Sequence, residues 1–253
     1  SLAVEVRDPE LGTVNFALRS RITFMPYAEM AAPTKGAIGI ISQSGALGFG
    51  MEQAMRRGVG VSHVLTSGNS CDVDMADYVA YLADEPECGA IAMLFEGMAD
   101  PGRLLRACDY ALARNKPVVA CKIAVGEYGA AAAMSHTGSL AGSQAAYRAA
   151  FARAGVVLVD DFMAVMETAS FFAKAPAPKA RGVAVLATSG GAAIMAADSA
   201  EAHGLALPQP AAAAAAVLAA LIPVFGSTRN PVDVTAMVMN DPQCIPDCAE
   251  ALL

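Results

Sequence analysis

Ser135-His136-Thr137-Gly138-Ser139 sets one of the chain's three histidines among small residues, in a Gly- and Ala-rich segment that reads as a loop. Neighbours this small leave room for a phosphoryl group on the imidazole. The segment follows an apolar strand ending at Lys122, and open parallel sheets place ligands at the carboxyl ends of their strands. Glu96 closes another apolar run, in Phe95-Glu96-Gly97. A carboxylate that accepts one imidazole N–H orients the ring and makes its other nitrogen the nucleophile. The bland alternative for Glu96 is a solvated loop acid. Two further segments suit anions: Ser42-Gln43-Ser44-Gly45-Ala46 and Thr188-Ser189-Gly190-Gly191, each between a strand and a helix. Such a turn leaves free N–H groups at the positive end of a helix dipole, Ser44 adds a hydroxyl, and Gly45 permits close approach. Taken alone, each is equally a capped helix with nothing bound. The other histidines read differently. His63 lies in an apolar strand as a satisfied, partly buried residue, and His203 in a helix's last turn complements the dipole.

The elements that must hold these residues alternate. Short β-branched runs at 37–42, 61–66, 90–95, 117–122 and 156–159 read as strands. Helices are expected at 46–57, 74–84, 102–115, 144–154 and 161–173. Strands apolar throughout, separated by helices, predict an α/β protein whose parallel sheet is covered on both faces. The first 35 residues form a connector with two short extended pieces, near Val14 and Ile22. The first domain spans 36–175, and AKAPAPKAR at 173–181 breaks the chain before a second unit at 182–253. That unit restarts with a strand at 182–187, a Ser-Gly turn and a helix to about His203, echoing the opening at Gly36 over one βα length. It continues through an Ala-rich helix at 211–221 and Asn230-Pro231-Val232-Asp233, and has too few strands for a whole sheet.

Composition narrows the partners. The chain has 253 residues, 55% of them hydrophobic and 16% charged, so a large buried core is expected. A net charge of −7 argues against nucleic acid and anionic membranes, which select for basic patches. Phosphates would then be held by backbone N–H groups more than by clustered Lys and Arg. No uncharged apolar run has the length of a membrane span, and residues 1–8 lack a signal-peptide layout. The six cysteines include no CxxC pair; Cys244 and Cys248, one helical turn apart, read as two buried thiols. A reducing cytoplasm fits this usage.

Taken in order, GIISQSGALG (39–48), SGNSCDVDMAD (67–77), LFEG (94–97), KPVVACK (116–122), SHTGSLAG (135–142), ATSGG (187–191) and NPVDV (230–234) resemble the succinyl-CoA synthetase superfamily. Within it they are most similar to the NDP-forming acyl-CoA synthetases, the ADP-forming acetate–CoA ligases among them. The resemblance covers roughly residues 36–240. It implies a flavodoxin-like sheet flanked by helices, followed by a second, incomplete unit of related fold. It implies that His136 is the phosphohistidine and that Glu96 holds its ring. Ser44 and Gly45 would open one phosphate-facing helix, and Ser189, Gly190 and Gly191 its counterpart. The implied substrates are CoA, ATP or ADP, phosphate and a small carboxylic acid or acyl-CoA. Mg²⁺ is expected with the nucleotide, in an ATP-grasp part. The resemblance implies a CoA-binding Rossmann domain, whose GxGxxG-type turn does not precede Gly36, and an ATP-grasp domain or subunit as partners, in a homo- or hetero-oligomer.

Two other readings stand beside this one. The order Ser44, Glu96, His136 also occurs in α/β-hydrolases, although Ser42 and Ala46 occupy places where a nucleophile elbow has glycine. A related, non-catalytic group uses the same domains to sense CoA or nucleotide.

Overall fold

The computed structural model describes residues 4–6, 12–15, 20–22, 37–68, 70, 72–137, 143–175, 178 and 180–253. The chain divides into two compact units, Ser1–Pro176 and Ala177–Leu253.

The first unit is built on one sheet. Its strands are β1 (Val4–Val6), β2 (Gly12–Asn15), β3 (Ser20–Ile22), β4 (Ala37–Ser42), β5 (Val61–Thr66), β6 (Cys88–Phe95), β7 (Val118–Lys122) and β8 (Val157–Val159). They lie in the order β1-β3-β2-β5-β4-β6-β7-β8. The five from β5 to β8 are mutually parallel, and β2 joins β5 antiparallel. Numbered by their own sequence, these five run 2-1-3-4-5, the flavodoxin-like order, which puts the topological switch point between β4 and β6. The crossovers are α1 (Gly45–Glu52), α2 (Met75–Asp84), α3 (Pro101–Ala113), and α4 (Glu127–Thr137) with α5 (Gln144–Arg153); α6 (Phe162–Lys174) follows β8.

Alternation along each strand decides which helices cover which face. In β6, Ile91, Met93 and Phe95 pack toward α2, α3 and α5, meeting Val79, Leu82, Leu104 and Phe151. Ala90, Ala92 and Leu94 face the other way, toward Phe49, Val165 and Met166 of α1 and α6. Both faces are therefore covered, as the apolar runs predict. Helix starts are written locally. Asp74 caps α2 in a reciprocal box with Asp77, Asp100 caps α3 with Pro101 at its first position, and Asp161 caps α6.

One expectation fails here. The segment before His136 is helix α4, and His136 belongs to its last turn, not to a loop. Gly129-Ala130-Ala131-Ala132-Ala133 reads as loop by its small residues, yet alanine has the highest intrinsic helix propensity. Gly138 and Ser139, which the sequence also places in that loop, lie outside the described residues, as do 140–142.

The second unit holds two short parallel strands, β9 (Leu186–Ala187) and β10 (Val232–Asp233), with α7 (Gly190–Ala202), α8 (Ala212–Leu221) and α9 (Cys244–Leu252). Leu218, Ile222, Val232, Val234, Cys244 and Cys248 form its core. Both cysteines are buried free thiols. The strand expected at 182–187 is ladder-paired only at its end, and the reason is a side chain. The amide of Asn230 accepts from Val185 N at 2.9 Å and donates to Val183 O at 2.7 Å. It thus bonds the peptide groups that a neighbouring strand would otherwise take. Gln209 bonds the main chain of Asn230 in turn, at 2.9 and 3.2 Å. Among the described residues, no helix is long and apolar enough to cross a membrane.

Candidate functional site

The carboxyl ends of β4, β6 and β7 meet at the switch point. Ser42, the last residue of β4, is fully buried, and its hydroxyl accepts from Ser44 N at 3.0 Å and donates to Ser44 O at 2.7 Å. This folds the turn that opens α1. Ser44 is the N-cap, its hydroxyl accepting from Leu47 N at 3.3 Å. The N–H groups of the first turn, at Gly45 and Ala46, have no intrahelical acceptor and are the anion-ready part of the turn. Helix α1 sits unusually close to the strand ends. A Cβ on Gly48 would stand 2.8 Å from Thr66 Cγ2 and 3.0 Å from Ser42 Cβ.

Gln43 joins this turn to Glu96. Its side-chain oxygen accepts from Glu96 N at 2.6 Å and Gly97 N at 3.3 Å, and its Nε2 donates to Gly97 O at 2.8 Å. Lys122, closing β7, supplies the remaining contact by donating from Nζ to Glu96 O at 2.8 Å. The same ammonium donates to Ile123 O at 3.0 Å and Ala124 O at 3.5 Å. All four main-chain polar groups of Glu96 and Gly97 are thus bonded by two side chains from neighbouring strands. Lys122 is only 4% exposed. Burial pushes its pKa down, opposed by the nearby Glu96 charge, which pushes it up.

The structure therefore brings Ser44, Gly45 and Glu96 together through Gln43. Glu96 itself is half-buried. His136 belongs to the same unit, with its main chain in the last turn of α4; its ring is not among the described side chains. Beside the Glu96 loop, Met98, Leu105, Ser143, Tyr147 and Phe151 border a cavity of about 360 Å³. Its lining suits an apolar occupant.

Ser189, Gly190 and Gly191 lie in the second unit, at the start of α7, where Ser189 makes no side-chain capping bond. A carboxylate oxygen of Asp233 lies 3.3 Å from where a Cβ on Gly190 would be. An anion at this turn would share the helix start with a carboxylate.

The sequence reading missed Gln43, Lys122 and Asp233 as members of these two sites. For Lys122 a signal existed, since a charged residue ends an otherwise apolar strand that both faces of the sheet bury. Another expectation is corrected at His63. It is fully buried, and neither ring nitrogen has a hydrogen-bond partner among the described residues. The Glu85 carboxylate stands 3.8 Å away. His203 is exposed at the C-cap of α7, with Nδ1 2.8 Å from Ser199 O.

Comparison with known proteins agrees with this architecture. Residues 35–172 match the succinyl-CoA ligase-like flavodoxin domain. The chain belongs to this family. A succinyl-CoA ligase-like flavodoxin domain also accounts for the strand order and for turns gathered at the switch point. The chain is 36% identical over 227 residues to the alpha subunit of ADP-forming acetate–CoA ligase II from Pyrococcus furiosus, covering 89% of this chain and 48% of that subunit. It is 37% identical over 225 residues to ADP-forming acetate–CoA ligase I from Archaeoglobus fulgidus, covering 88% of this chain and 32% of that protein. Among solved structures it is similar to an acetyl-coenzyme A synthetase from Ca. Korarchaeum cryptofilum in complex with phosphate and ADP. There the TM-score is 0.78 at 30% identity, over 89% of this chain and 48% of that one. The chain spans about half the length, or less, of the relatives it matches. The resemblance to NDP-forming acyl-CoA synthetases is borne out by these relatives.

Proposed function

We propose that the chain is the phosphoryl-carrying part of an NDP-forming acyl-CoA synthetase, with His136 as the residue transiently phosphorylated. The full reaction interconverts carboxylate, CoA and ATP with acyl-CoA, ADP and phosphate. In the direction of ATP formation, a phosphate oxygen attacks the thioester carbon, the C–S bond breaks, and CoA leaves as thiolate and takes up a proton. A nitrogen of His136 then attacks the phosphorus of the acyl phosphate, and the carboxylate departs with the bridging oxygen. Finally the β-phosphate of ADP attacks the same phosphorus, the P–N bond breaks, and neutral imidazole returns.

In this reading Glu96 accepts the N–H of the imidazole nitrogen that does not attack, and stabilises the positive charge that the ring gains on phosphorylation. The start of α1 at Ser44 and Gly45 meets the travelling phosphate, through the N–H groups of Gly45 and Ala46 that the Ser44 cap leaves free. Ser189, Gly190 and Gly191 do the same in the second unit. CoA binding belongs to a Rossmann domain, and nucleotide with its Mg²⁺ to an ATP-grasp domain or subunit. Both lie elsewhere in the complete enzyme.

The observation that carries the reading is the tie at the switch point, where Gln43 bonds the loop of Glu96 to the start of an anion-ready helix. The likeness to a synthetase solved with phosphate and ADP supports it. His136→Ala in the complete enzyme is expected to remove synthetase turnover and leave thermal unfolding of the domain unchanged. Glu96→Gln is expected to slow phosphoryl transfer about 100-fold in single-turnover assays, the scale of a lost orienting partner. Full turnover in the His136→Ala enzyme would rule out the relay.

A further inference from the structure

We infer that Lys122 is a positioning residue for Glu96, holding that residue's main chain through its bond to the Glu96 carbonyl. The inference rests on the proposed phosphoryl relay and extends it to a residue outside the motif roles assigned above.

The argument begins with cost. A lysine is almost never fully buried unless its charge is met, because desolvating an ammonium is expensive. If the end of β7 needed only packing, methionine or leucine would fill the space without that cost. The ammonium here is met by three carbonyls, those of Glu96, Ile123 and Ala124 at 2.8, 3.0 and 3.5 Å. Three carbonyls match the three donors of an ammonium, so no N–H is left to reach a ligand. Lys122 therefore acts through what it holds. Two of its acceptors are the next residues of its own chain, a local turn at which Ala124 adopts φ 58°. The third comes from the turn just after β6, and it is the carbonyl of Glu96 itself.

Gln43 alone cannot fix this peptide. It bonds both N–H groups and the Gly97 carbonyl from the β4 side, leaving Glu96 O to Lys122 on the β7 side. With both clamps in place, the Cα of Glu96 is gripped from two neighbouring strands. A carboxylate that must meet one imidazole N–H tolerates little displacement, since about 1 Å of misplacement is enough to cost roughly 100-fold in rate. The ring of Tyr147, with its centroid 5.5 Å from Nζ, adds a second favourable contact for the buried charge.

The test is a kinetic double-mutant cycle in the complete enzyme, paired with hydrogen exchange. Lys122→Met is expected to slow phosphohistidine formation about 100-fold while shifting KM for the nucleotide by no more than about 3-fold. Added to Glu96→Gln, the same substitution is expected to cost no more than about 3-fold, because a residue that acts through Glu96 has nothing left to position. Amide exchange at Glu96 and Gly97 is expected to quicken about 10-fold in Lys122→Met, with α2 and α3 unchanged. Multiplicative losses in the double variant, or unaltered exchange at Glu96 and Gly97, would overturn the assignment. Should Lys122→Met not fold, Lys122→Gln keeps a donor without the charge and goes through the same cycle. If the unmodified enzyme forms no phosphohistidine at all, the relay itself is wrong. The exchange measurement then still decides whether Lys122 holds the loop.

Discussion

At His63 and at Lys122, burial and ionisation oppose each other with different outcomes. Lys122 finds three carbonyls and can stay charged. His63 finds none: it is buried in β5, with Tyr81 edge-on at 5.7 Å and Glu85 at 3.8 Å. Desolvation pulls its pKa below the ordinary 6.5, and the Glu85 charge only partly restores it. The folded protein thus takes up a proton less readily than the unfolded chain. Above pH 6.5 the residue is neutral in both states and contributes no pH dependence. As pH falls from 6.5 through the lower folded value, the unfolded chain is protonated first and stability declines. His63→Leu is expected to flatten this decline, so that urea midpoints at pH 7.5 and 5.5 lie closer together than in the unmodified protein. An unchanged gap would mean that His63 is not the acid-sensitive group. Sequence flags Lys122 as a charge closing an apolar strand but not what meets it from β6's end, and it gives no warning at His63, because Glu96 and Glu85 are brought there by separate segments.

At the scale of elements, legibility followed physics that is local in the chain. β4 and β5 were readable to the residue as Ala37–Ser42 and Val61–Thr66, since continuous β-branched runs between helices have few other uses. α4 was not readable, because the same Gly, Ala and Ser residues serve loops and helices alike. β9 came out shorter than its apolar run, because Asn230, 45 positions after Val185, takes over the peptide groups of that strand. The tight seat of α1 was signalled only by glycine at position 48. With a Cβ there only 2.8 Å from Thr66 Cγ2 and 3.0 Å from Ser42 Cβ, either the helix or the strand ends must move. Gly48→Ala is expected to destabilise the first unit by about 1–3 kcal/mol, the usual cost of overpacking. It should also slow phosphoryl transfer, because α1 carries Ser44 and Gly45. Denaturant titration and a single-turnover assay check both; a stable, fully active variant would show that the helix seat is loose.

At the scale of the molecule, a parallel sheet in the order 2-1-3-4-5 concentrates chemistry at one place. The turns after β4 and β6 flank the switch point, and the end of β7 braces them. This explains why motifs far apart in sequence, SQSGALG, LFEG and KPVVACK, read as one pattern. All three are joined in sequence by resemblance alone; the hydrogen bonds of Gln43 and Lys122 give a physical reason for it. The second unit carries its own helix start at Ser189, with Asp233 beside it. The central claim is that a phosphoryl group rests on His136 during turnover. The complete enzyme, incubated with ATP labelled in its γ-phosphate and digested, tests this most directly. The account predicts one labelled peptide containing His136, its phosphate lost in acid and kept in base. Label on another residue, or none on an enzyme that is turning over, would contradict it.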